Sequence, residues 1–188
     1  MKRTFIAIPV EAGAPLKQFT ERMRAQFRGE NISWVEPVNF HVTVRFLGDT
    51  PDEMMAPITE AMRRTCHGCH IGRGMVRGLG YFSFKGVPSV LYARIEGWEG
   101  APRLADLLER ELETLGFAPG NHAFKAHLTL ARIKNLYEKK RFKEIIHSVE
   151  QEEFQEAEAS RIILYESILQ PRGPLYKPLA VTPLKMED

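Results

Sequence analysis

HVTVRFLG at residues 41–48 and HLTLARIK at residues 127–134 are two versions of one pattern: a histidine, then a threonine two positions later, with apolar residues interleaved. The copies start 86 residues apart, at 41 and 127. So short a match gains weight only when the segments around it repeat in the same order. Before the first copy, residues 5–10 alternate as a strand does, and residues 14–27 carry Leu16, Phe19, Met23 and Phe27 at helical spacing. Before the second, residues 90–95 read as a strand, and residues 101–115 place Leu104, Leu107, Leu108, Leu112 and Leu115 on one helical face. Phe5 precedes His41 by 36 residues and Val90 precedes His127 by 37, a close agreement for elements joined by loops.

The parallel continues downstream. Residues 52–66 and 137–149 read as helices, each followed by a strand-like segment, 75–84 and 160–169. Each half is therefore β-α-β-α-β, and the chain is expected to be one bilobal α+β domain over 1–188, with halves of 1–86 and 87–188. Pro51 and Asp52 mark a helix start, and Gly78, Gly80, Gly86 and Pro88 punctuate the passage between halves without forming a flexible linker. Pseudo-twofold packing of two such lobes would set the motif strands facing one another across a cleft.

Composition limits the alternatives. With 188 residues, 44% hydrophobic and 27% charged, the chain has the balance of a soluble single domain. No apolar run approaches the roughly 20 residues of a membrane-spanning helix, so no membrane partner is expected. MKRTFIAIPV, residues 1–10, lacks the longer apolar region and small-residue cleavage site of a secretory signal, which places the protein in the cytoplasm. Asn31-Ile32-Ser33 then matches a glycosylation sequon by chance. A net charge of +2 gives a weak overall field, so any phosphate recognition must be local, near Arg45 or near Lys125, Arg132 and Lys134.

Side chains alternate across a strand, so His41 and Thr43 share one face, while Phe40, Val42, Val44 and Phe46 share the other and point to the core. His127 and Thr129 are divided in the same way from Ala126, Leu128 and Leu130. One such histidine is ordinarily structural. Two that converge give imidazoles with ordinary pKa values of about 6.5 and two hydroxyl donors around a common point. Cleaving a cyclic phosphodiester in line needs a base for water and, opposite it, an acid for the departing ribose oxygen. One neutral and one protonated imidazole supply both, with hydroxyls and an arginine for the phosphoryl oxygens. Two histidines fall short of the roughly three or four ligands of a zinc site, so neither metal nor other cofactor is expected.

These motifs resemble those of the two-histidine phosphoesterases, and within them the bacterial and archaeal RNA 2′,3′-cyclic phosphodiesterases, also called 2′-5′ RNA ligases. TFIAIPV (4–10), WVEP (34–37), GLGYF (78–82), FKAHLTLAR (124–132) and LYESIL (164–169) follow the family's order over nearly the whole chain. The resemblance implies two antiparallel sheets around a central cleft with helices on the outer faces. It implies a monomeric enzyme that opens 2′,3′-cyclic ends of RNA, tRNA fragments among them, or of nucleotides, to 2′-phosphates, with reversible 2′-5′ ligation as a companion activity. It assigns His41 as proton donor and His127 as proton acceptor, although chemical symmetry permits the reverse, and places Thr43, Thr129 and Arg132 at the phosphate. Strict alternation from His127 points Arg132 to the opposite face, so a bulge or a strand end must redirect it. Phe46 holds the equivalent slot after His41, while Arg45 has the catalytic parity and is a second phosphate candidate. Phe82 and Tyr176 are candidates for stacking on a base.

Other readings compete. The same cleft would also serve a nucleotide or RNA-end binding module without turnover, or an enzyme for 2′-5′ linkages or ADP-ribose cyclic phosphate. CHGCH at 66–70 fits haem attachment, which requires export, and it packs two Cys and two His too tightly to wrap one zinc ion; surface thiols on a loop are expected there. Arg77 stands where a G-x-G-x-x-G loop needs its third glycine. The acidic stretch 150–158 is expected to be an exposed helical or loop face.

Overall fold

In the computed structural model, residues 1–120, 123–171 and 173–185 are described. Their elements in chain order are β1 (Lys2–Pro9), α1 (Ala14–Gln26), β2 (Asn31–Trp34), β3 (His41–Thr50), α2 (Met55–Cys66), β4 (Arg73–Phe84), β5 (Val87–Glu96), α3 (Ala101–Thr114), β6 (His127–Asn135), α4 (Lys139–Ser148), β7 (Glu153–Glu158), β8 (Arg161–Ile168) and β9 (Leu175–Pro183). The strands build two antiparallel sheets, one ordered β3-β1-β8-β9 and the other β2-β6-β5-β4-β7.

Each sheet draws strands from both halves of the sequence. β8 of the second half pairs with β1 of the first, and β4 of the first half pairs with β5 of the second. β3 and β6, which carry the motifs, approach each other where the sheets meet. The segment linking β2 to β3 is tied to both sheets, Val35 N donating to Leu130 O at 2.8 Å and Val10 N to Phe40 O at 3.0 Å. The lobes are thus laced together by crossing chain, and their relative placement is fixed by backbone hydrogen bonds.

The helices cover the outer faces. α1 and α3 both open Ala-Pro, the proline's fixed φ suiting the first helical turn where an N–H would lack a partner. α2 packs on α3, and the pair covers the first sheet through β9 and β3. Leu104, Leu108 and Leu112 of α3 are wholly buried, each burial stabilising the fold by about 1.5–3 kcal/mol. Over the second sheet, Phe19 of α1 stacks on Phe154 of β7 at 3.6 Å, and Phe142 of α4 lies between Phe27 at 5.5 Å and Tyr81 of β4 at 5.4 Å.

Three local expectations are corrected. The acidic stretch is no helix or loop: Glu153–Glu158 is edge strand β7, with Phe154 and Ala157 buried and its glutamates outward, where charge discourages edge-to-edge pairing. Residues 52–54 form a 3-10 turn, and α2 begins only at Met55. Cys66 and Cys69 are not surface thiols, since the end of α2 turns them inward; burial and the neighbouring Cys69 push the Cys66 thiol up to about 12. Among the described residues, no group of three or more His, Cys, Asp or Glu converges, so CHGCH forms no ligand cluster. No helix is long and apolar enough to cross a membrane. Leu128 is wholly buried directly behind the second motif. Leu128→Ala should therefore lower unfolding free energy by about 2–5 kcal/mol, read from the urea midpoint with an unchanged slope.

Candidate active site

The two motif strands are held in one register. Against β1, His41 lies opposite Pro9, Thr43 opposite Ala7 and Phe46 opposite Phe5. Against β5, His127 lies opposite Arg94, Thr129 opposite Tyr92 and Arg132 opposite Val90. Each ladder skips the residue directly after the threonine, Val44 in β3 and Leu130 in β6, and β3 skips a second, Leu47, beyond Phe46. A bulge of this kind inverts the parity of everything beyond it.

That inversion settles where the arginines go. Leu130 and the following Ala131 are both wholly buried, and Arg132 emerges on the face of His127 and Thr129. Its charge acts on His41 and on Tyr176, which places it in the cleft. In β3 the same inversion removes Arg45 from the catalytic face, correcting its candidacy for phosphate. Arg45 instead ion-pairs with Glu109 of α3 at 2.8 Å and donates to the carbonyl of Ala118. It also brings Phe46, expected in the core, to the cleft side, where it is 61% exposed with its ring 6.0 Å from Phe5.

Both imidazoles are oriented by the same bond. Nδ1 of His41 lies 2.6 Å from the carbonyl of Asn39, and Nδ1 of His127 lies 2.6 Å from the carbonyl of Lys125. A carbonyl only accepts, so Nδ1 carries the proton in each ring and Nε2 is left to act as acceptor when neutral or donor when charged. Burial pulls both pKa values below the ordinary imidazole value, and the carbonyls oppose this by favouring the cation. Positive neighbours lower them further: His127 and Arg132 for His41, Lys125 for His127.

Aromatic rings pack around each histidine. Tyr176 meets His41 edge-on at 5.2 Å, and Phe5 lies 5.1 Å from it. Phe82 meets His127 edge-on at 4.9 Å, with Tyr92 at 5.4 Å. Lys125 donates to the Tyr92 hydroxyl at 2.9 Å and sits over both rings. Gly80, opposite Tyr92 on β4, makes this packing possible: a Cβ there would lie 2.5 Å from the tyrosine ring. The structure therefore places Phe82 and Tyr176 beside the histidines. It adds Phe5, Tyr92 and Tyr165, which strand parity alone does not separate from core aromatics. Asn39 and Lys125 enter through their carbonyls, which leave no mark on residue type.

Thr43 and Thr129 stand on the cleft faces of their strands, and neither their hydroxyls nor the Arg132 guanidinium has a hydrogen-bond or ion-pair partner among the described residues. Beside His41 the cleft opens into a cavity of about 440 Å3 lined by residues that include Asn39, Tyr165, Tyr176, Lys17 and Arg161, and by none from β6. Paired, carbonyl-oriented imidazoles with unspent donors suit one class of chemistry, proton transfer to and from the oxygens of a bound phosphoester.

The chain belongs to the LigT like Phosphoesterase family, whose model matches residues 6–92 and 98–176, one segment for each half of the duplication. It is 31% identical over 179 residues to an RNA 2′,3′-cyclic phosphodiesterase of Thermotoga maritima, covering 94% of this chain and 92% of that protein. A protein of the same description from Aeropyrum pernix is 35% identical over 152 residues, covering 80% and 85%. A crystal structure of a Thermus thermophilus protein superposes with a TM-score of 0.76 at 27% identity, over 99% of this chain and 100% of that one.

The electrostatics can be checked by following the imidazole C2–H signals in an NMR titration. His41 and His127 should titrate below the roughly 6.5 of an unperturbed imidazole. Arg132→Gln removes a positive neighbour of His41, so the His41 midpoint should rise.

Proposed function

We propose that this chain hydrolyses 2′,3′-cyclic phosphate ends of RNA to 2′-phosphates, with His41 and His127 as the acid and base. The observation that carries the proposal is the pair of Nε2 atoms freed by identical Nδ1–carbonyl bonds, on facing strands with Thr43, Thr129 and Arg132 unpartnered beside them. His127 takes a proton from water as the water oxygen bonds to phosphorus. The P–O3′ bond breaks opposite it, and His41 delivers the proton that O3′ needs to leave as a hydroxyl. Threonine hydroxyls and Arg132 stabilise the charge on the non-bridging oxygens.

Space supports this division of roles. In-line attack sets water on one side of phosphorus and the ribose on the other, so the leaving-group acid must adjoin room for a nucleoside. The large cavity lies against His41, whereas Phe82, Tyr92 and Lys125 close around His127. With a ribose 5′-hydroxyl replacing water, the same geometry yields a 2′-5′ linkage.

His41→Ala and His127→Ala should each reduce turnover of a 2′,3′-cyclic nucleotide by about 10²–10⁴-fold with unchanged circular dichroism; parent activity in either variant would refute the mechanism. EDTA should leave the rate unaltered, and loss reversed by a divalent ion would count against metal-free catalysis. The pH profile of kcat/KM should be a bell centred below the roughly 6.5 of free imidazole, because both histidines are depressed in the free enzyme. Its acid limb reports the base losing its proton and its alkaline limb the acid losing its own, as macroscopic values of a coupled pair. A bound phosphate anion favours both cations, so the kcat profile should sit higher in pH than the kcat/KM profile.

A further inference from the structure

The cavity beside His41 is larger than the reaction itself needs. Its lining joins His41, Tyr165 and Tyr176 of the first sheet to Lys17 from the first turn of α1 and Arg161 from the start of β8. The Lys17 ammonium has no ion-pair or hydrogen-bond partner among the described residues. Arg161 donates to Glu11 at 3.0 Å and to the Ser160 hydroxyl at 3.3 Å. The Glu11 side chain is 85% exposed, so this ion pair is screened and weak, and an incoming anion can displace it or share the guanidinium.

A mononucleoside cyclic phosphate would use the His41 end of this cavity and leave its basic end idle. An RNA end has a second anion one nucleoside away from the reacting phosphorus, the phosphodiester on the 5′ side of the terminal nucleotide. We infer that the cavity is a subsite for that nucleotide, in which Tyr165 and Tyr176 border the terminal nucleoside and Lys17 and Arg161 bind the adjoining phosphodiester. The protein then reads a polynucleotide end in preference to a free cyclic nucleotide. This inference rests on the reading of the site as one for cyclic RNA ends. It assigns specificity to two cations outside the acid-base machinery.

Steady-state kinetics on two substrates tests it, a 2′,3′-cyclic mononucleotide lacking a 5′-phosphate and a short oligoribonucleotide ending in the same cyclic nucleotide. The parent should favour the oligomer in kcat/KM. Lys17→Ala and Arg161→Gln, both surface substitutions, should each raise KM for the oligomer by about tenfold, the loss of one charge-assisted hydrogen bond, at nearly constant kcat. The same variants should leave the mononucleotide unaffected. The double variant should flatten the dependence of log kcat/KM on log salt by about 0.7, the value for one single-strand phosphate contact. Equal losses on both substrates, or no loss on the oligomer, would overturn the subsite while the functional reading stands on the mononucleotide's turnover. A parent that turns over neither substrate would overturn both.

Discussion

Everything in the cleft depends on two antiparallel ladders, β1 with β3 and β5 with β6, that repeat the same register and the same skipped residue. Backbone hydrogen bonds and the packed apolar faces behind them fix where each histidine's Cα sits, to a tolerance that side-chain packing alone would not give. The skipped residue matters as much as the pairing. Without it, a side chain five positions beyond a histidine would face the helices, and Arg132 could not share a face with His127. The skipped residue after each threonine thus brings His127, Thr129 and Arg132 onto one side of β6, and His41, Thr43 and Phe46 onto one side of β3. It does so on strands whose other faces bury Val42, Leu128 and Leu130 completely.

The cleft keeps polar groups in readiness at some electrostatic expense. Two imidazoles and a guanidinium lie close enough that positive neighbours lower His41's affinity for a proton, and burial lowers it further. In the free protein this favours neutral rings. An anion between them reverses the balance, because its charge stabilises imidazolium and satisfies hydroxyl and guanidinium donors together. The same groups that repel one another in the empty cleft are therefore cooperative around a phosphoester. The carbonyls of Asn39 and Lys125 hold the rings through this change, since an Nδ1–H donates to a carbonyl whether or not Nε2 is protonated.

The duplicated frame, the two histidine motifs and most helices were legible because they are written in periodicity, and period 2 or 3.6 survives in a single sequence. What was not legible has physical causes. Bulges do not announce themselves in residue type, so Arg45 and Phe46 were assigned to the wrong faces and Arg132 needed an unidentified irregularity. β7 hides behind its glutamates, because an edge strand exposes charge where an inner strand would show apolar residues. β9 contains Pro178 and Pro183, which an edge strand tolerates but which obscure a strand pattern in the sequence. The sheets also exchange β4 and β8 between halves; β4 joins β5 through the two-residue turn at Lys85 and Gly86, but the pairing of β8 with β1 is long-range and has no local signature.

Duplication yields two equivalent histidines, whereas the proposed reaction is unequal on its two sides: a water molecule enters on one and a nucleoside stays on the other. The structure meets this inequality at equivalent ladder positions. Where the second lobe places Tyr92 opposite its threonine, the first places Ala7; where the second presents Arg132, the first presents Phe46. Tyr92, packed over Gly80 and against Phe82 at 4.5 Å, flanks His127, whereas beside His41, where the paired position holds the small Ala7, Tyr165 and Tyr176 line an open cavity. In the proposed reaction, backbone symmetry would supply the matched acid and base, and side-chain divergence at a few register positions the direction. A perfectly symmetric pair of lobes would bind a phosphate equally well and have no reason to choose which oxygen leaves.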